Sequence, residues 1–102
     1  MEYALHPEVY DDLDEIHGYF EGFNPVTAGR VLDEFLQAFD LLAEFPKLGH
    51  RRPDFTSRPL RFKILRTYLI AYAPEEKPLW VVAVIDGRRS PRVIAAILRG
   101  RE

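Results

Sequence analysis

At 102 residues, 47% of them hydrophobic and none of them cysteine, the chain is long enough for one domain with its own core and excludes disulfides and thiolate metal ligands. Its net charge of −2 hides a split, because residues 1–50 hold 11 Asp or Glu against 2 Lys or Arg, and residues 51–102 hold 5 against 12. Such poles either offer a basic half to an anionic partner or pair with each other.

The opening MEYALHPEVYDD carries an early acid and no long apolar run, so it reads neither as a signal peptide nor as a membrane span, and the expected compartment is the cytoplasm. Glu2–Leu5 is a short lead, expected as an edge strand. His6-Pro7 then opens a helix over 7–22, since proline lacks the N–H that would be unpaired in a first turn and Glu8, Asp11 and Asp12 suit the positive end of the helix dipole. Val9, Leu13, Ile16 and Phe20 draw one apolar stripe along it. Gly22–Pro25 interrupts the helix, and Asn24 caps a second one over 25–45 with Pro25 in its first turn. In this helix Ala28, Leu32, Phe35, Phe39 and Leu42 repeat at four, three, four and three, with Val31, Leu36 and Ala38 widening the face. Leu32 and Phe39 are the expected centre of the core. Pro46 ends the helix and Gly49 is expected to supply a positive-φ turn. The following HRRPDFTSRP has the composition of an exposed connector that adds Arg51, Arg52 and Arg58 to the basic half.

From Arg61 to Arg89 the chain is rich in Val, Ile, Leu and aromatic residues. YLIAYA and LWVVAVI, joined by PEEKP, predict two antiparallel strands, and their apolar character at nearly every position predicts a central place with cover on both faces. How Leu60–Tyr68 divides into a preceding strand and a turn does not follow from the pattern, because Arg66-Thr67 lacks the Gly or Asn of an ordinary two-residue hairpin. After Asp86-Gly87, Ser90 caps a short helix that Gly100 ends. The fold class is therefore α+β: an N-terminal helical hairpin on a mostly antiparallel sheet, in the order β-α-α-β-β-β, with a short C-terminal helix.

His6, His17 and His50 have no metal-site spacing and the six glycines form no phosphate loop, so no metal or other cofactor is expected. Most carboxylates decorate the outer faces of the two helices. What remains is a basic margin: Arg61, Arg66, Tyr68, Arg88 and Arg89 flank the apolar strands and are the candidate target-binding residues. An antiparallel meander brings the last four of these to one edge. Guanidinium groups and a phenol there can grip phosphates or a carboxylate-rich peptide, or they can simply neutralise the acidic helices.

The pieces HPEVYDDLDEIHGYF, FPKLG, YLIAY and VVAVIDGRR, in that order, give the chain a resemblance to the RelE/ParE family of bacterial toxin–antitoxin modules over nearly its whole length. The resemblance implies a cognate antitoxin partner and one of two activities. RelE-like members cut messenger RNA on the ribosome, whereas ParE-like members inhibit DNA gyrase. By alignment on the strands, Arg89 falls on a phosphate-binding arginine of the nuclease type. Leu69 stands where that type carries another arginine, and Ala95 where it carries a tyrosine. Attack by a 2′-hydroxyl needs two proton transfers and charge stabilisation on the phosphate, so the resemblance points to the ParE-like branch with gyrase as target. Ribosome-dependent cleavage of messenger RNA, and a non-enzymatic RNA- or protein-binding module, are the alternatives.

Overall fold

A computed structural model describes residues 2–102. The elements run β1 (Tyr3–Leu5), α1 (Pro7–Glu21), α2 (Pro25–Glu44), β2 (Arg61–Leu65), β3 (Tyr68–Ala73), β4 (Leu79–Asp86) and α3 (Pro91–Arg99). The expected α+β arrangement is present, with each helix one residue shorter at its end than the sequence pattern suggests or matching it. Asn24 and Ser90 cap their helices as expected, and His6, not anticipated as a cap, does so for α1. His6 Nδ1 accepts from Glu8 N, Asn24 Oδ1 from Val26 N, and Ser90 Oγ from Val93 N.

The sheet has the order β1-β4-β3-β2, with β1 parallel to β4 and the other pairs antiparallel. The two most apolar strands are thus the central ones. Side-chain alternation sends Tyr68, Ile70 and Tyr72 toward the helices, where they meet Val9, Leu13, Val31, Phe35 and Phe39. Leu69 and Ala71 point the other way, into a second core made with Phe55, Leu60, Ile94 and Leu98. Cover on both faces explains why neither strand shows a polar alternation.

β4 changes faces midway. Ala71 pairs with Ala83 but Tyr72 pairs with Val81, so Val82 has no partner on β3 and the strand bulges there. This inserted residue keeps Leu79, Val81 and Val84 all on the helical side. β1 is only three residues long and covers β4 no further than Val81. Beyond that point the outer edge of β4 is closed by side chains instead: Val84 N donates to Asp12 Oδ2 at 3.0 Å and Val82 O accepts from Arg101 Nη1 at 3.3 Å.

Three local expectations are revised, and the division of Leu60–Tyr68 is resolved. Val31, fully buried, belongs to the centre of the α2 stripe together with Phe39, whereas Leu32 is only half-buried on its flank. Gly49 has no positive φ; the glycine is needed because an added Cβ would stand 2.6 Å from Tyr72 Oη and 2.7 Å from Phe62 O. The connector after α2 is not uniformly exposed, since Phe55 and Leu60 are buried in the second core and Arg58 donates to Leu98 O and Arg101 O at 2.9 and 2.8 Å. Finally, the two-residue turn between β2 and β3 does form on Arg66-Thr67, with Arg66 at φ 57°. That left-handed conformation costs an ordinary residue about 1 kcal/mol or more. Here it is held by a fork from Arg66 to Glu34 on α2, at 2.9 and 3.0 Å.

Candidate target-binding site

The β2–β3 turn, the start of β3 and the end of β4 lie at one end of the sheet, because Leu65 pairs with Tyr68 and Tyr68 pairs with Asp86. Arg66, Tyr68, Arg88 and Arg89 therefore gather at this end. Arg61 does not join them. It starts β2, four residues from Leu65 and so about 13 Å away along the strand, and its Nη1 donates to Gly49 O at 2.7 Å.

Between α1, the outer edge of β4 and α3 runs a groove of about 390 Å³, lined by Asp12, Glu15, Tyr19, Tyr68, Asp86, Arg88, Arg89 and Arg101 among others. At its inner end Arg101 forks onto Asp12, with Nη2 to Oδ1 at 2.8 Å, and both side chains are largely buried. The hydrogen bond to Asp12 raises the Arg101 pKa above its ordinary value against the opposing effect of burial. An ion pair so placed loses hydration, and each partner then depends on the other for compensation.

At the outer end Arg88 forks onto Asp86 at 3.0 and 2.8 Å while its backbone N–H caps the same carboxylate at 2.9 Å. The Arg88 side-chain hydrogen bond, followed by the backbone one, pulls the Asp86 carboxyl down to about 2. Tyr68 is 8% exposed and packs on Phe35, with ring centroids 5.8 Å apart. Burial first, and then the charge of Asp86, raise its phenol above the usual tyrosine range. Glu34 is pulled below the usual carboxylate range by its hydrogen bond to Arg66. Of the gathered cations, Arg66 and Arg88 thus already have carboxylate partners; Arg89 has no ion pair among the described residues and is exposed.

Three participants, Asp12, Glu34 and Arg101, are absent from the candidate residues read from the sequence. Asp12 lies three residues after Val9 and four before Ile16, so its place beside the buried stripe is legible in the spacing. Glu34 and Arg101 carry no such signal, since their partners come from elements distant in the chain. Leu69 is 5% exposed and points into the second core, and Ala95 sits half-buried on α3. Among the described residues no three His, Cys, Asp or Glu side chains gather as a metal site, and no helix is long and apolar enough to cross a membrane.

The model of the family described as ParE toxin of type II toxin–antitoxin system, parDE, matches residues 3–91, a span from β1 to the first residue of α3. Comparison with curated proteins finds no match.

Proposed function

Since the chain belongs to the ParE toxin family of type II toxin–antitoxin systems, we propose that it acts by inhibiting DNA gyrase and is neutralised in the cytoplasm by a cognate antitoxin. The observation that carries the choice of gyrase over messenger RNA is Leu69. Where the nuclease type would present an arginine, this chain has a leucine that is 5% exposed and packed with Phe55, Phe62 and Ile94 in the second core. Ala95 offers no proton-transfer group either. In-line cleavage would then lack both charge stabilisation and an acid or base at these positions.

Gyrase inhibition needs only a stable contact. Arg88 and Arg89 leave the sheet at the end of a strand that is buried along most of its length, and a rigid base limits the entropy lost on binding. Arg88 is aimed by Asp86, while Arg89 is free to pair with an acidic group on the target.

The test is expression of the chain alone, with primer extension on cellular messages and a supercoiling assay on purified gyrase. Supercoiling should be inhibited and messages left intact. Changing Arg88 and Arg89 together to Ala should weaken inhibition by roughly tenfold or more, the scale of a lost interfacial arginine, in a protein that still melts cooperatively. Codon-phased cuts in messages with supercoiling unaffected would sink the proposal in favour of ribosome-dependent cleavage.

A further inference from the structure

The helical hairpin ends in an apolar tip that neither core uses. Tyr19 is 55% exposed, Phe23 74% and Val26 70%. The rings are nevertheless ordered against one another: Tyr19 meets Phe20 and Phe23 edge-on, each at 5.2 Å between centroids. Phe20 in turn carries the Arg66 guanidinium 5.6 Å over its ring, and Tyr19 lines the groove beside Tyr68 and Arg88. Tip and groove mouth are therefore one continuous surface, apolar at the α1–α2 turn and polar at the end of β4.

Charge decides what such a surface takes. The groove is lined by three carboxylates, Asp12, Glu15 and Asp86, and three guanidiniums, Arg88, Arg89 and Arg101. Arg66 beside it is matched by Glu34. Nucleic acid is held by arrays of unpaired cations that displace its counterions, and of the three arginines that line the groove Arg89 alone lacks a carboxylate partner. Exposed aromatic rings around a near-neutral centre with one arginine have instead the composition of a protein–protein hot spot.

We propose that Tyr19, Phe23 and Val26 form the apolar half of the target-binding surface, with Arg89 as its charged half. The occupant is a protein that offers an apolar cleft with a carboxylate at its rim. The proposal rests on the reading of the chain as an inhibitor of a target protein, and it assigns the helical hairpin a direct part in that contact.

Phe23→Ser with Val26→Ser tests it, since both side chains are exposed and the variant should keep the wild-type melting midpoint. Purified gyrase is the probe in a supercoiling assay, growth arrest on expression is the second readout, and a labelled oligonucleotide and sedimentation complete the set. The variant should lose at least tenfold in inhibition and in growth arrest, with sedimentation and oligonucleotide binding unchanged. Wild-type potency in both readouts would overturn the proposal. So would a wild-type dimer dissolved by the two substitutions, which would assign the tip to a second copy, or oligonucleotide binding that the substitutions abolish. If the wild-type chain arrests growth without inhibiting gyrase, the gyrase reading fails by itself, and loss of arrest in the variant still supports the tip. A wild-type chain inactive in both assays removes the premise and the proposal with it.

Discussion

A hydroxyl and a missing methyl lock the exit of α2 onto the sheet. Tyr72 Oη accepts from Gly49 N at 2.8 Å and donates to Pro46 O at 2.7 Å, while Gly49 passes too close to Tyr72 and Phe62 for any side chain. Gly49→Ala should therefore cost about 1–3 kcal/mol by overpacking, and Tyr72→Phe about 1–3 kcal/mol by leaving two backbone groups without a partner; urea unfolding measures both. The sequence announces a break at FPKLG but not its cause, because a close approach from Tyr72, 23 positions away, leaves no mark on local composition. The buried pair is similar. Asp12→Ala would leave Arg101 charged, largely buried and without its main partner, and would strip Val84 N of its acceptor. A loss of about 3–5 kcal/mol is expected, with faster amide exchange at Val84. A loss below about 1 kcal/mol would mean that water replaces Asp12 at the groove.

Elements built from local patterns were legible, and those built by distant partners were not. Proline marks the start of all three helices and a recognisable capping residue that of α2 and α3, and composition alone places β3 and β4 at the sheet centre. The β2–β3 turn is different, for its left-handed residue is an arginine whose conformation is secured by Glu34 from α2. Periodicity also misplaced the core centre by one residue, at Leu32 rather than Val31, because a wide apolar stripe fits two adjacent faces equally well. The turn after β4 is held by Asp86, and its behaviour with pH follows from the direction of its shift. The folded carboxyl titrates near 2, below the usual value of 3.8, so its contribution is present above pH 3.8 and fades as the pH falls through about 2. Arg88 is largely exposed and the contribution is correspondingly screened. Replacing Arg88 with Ala should raise the Asp86 midpoint from about 2 but leave it below the ordinary 3.8, since the backbone N–H of residue 88 remains, in an NMR titration of the carboxyl. A midpoint that stayed near 2 would show that Arg88 is not what holds the turn.

For the molecule as a whole, the opposite charges of the two halves are partly spent on each other: Asp12 and Glu34 from the acidic half meet Arg101 and Arg66 from the basic half. The basic half thus has fewer free cations than its composition suggests, which is why the arginine cluster read from the sequence overstated the charge of the candidate site. The sheet is the other large-scale feature. It separates a core under α1 and α2 from a core under α3 and the connector, so that each of β3 and β4 contributes to both. Ile70 is fully buried on the first side and Ile94 on the second. Ile70→Val and Ile94→Val should each cost about 0.5–1.5 kcal/mol. Because the two methyl groups removed lie on opposite faces of the sheet, the losses should add to within about 0.5 kcal/mol in the double variant, and unfolding should remain a single transition. A double variant less stable than the sum by more than that would mean that the sheet passes strain from one core to the other. Two separate transitions would mean instead that α3 and its core unfold on their own, leaving the helical side intact.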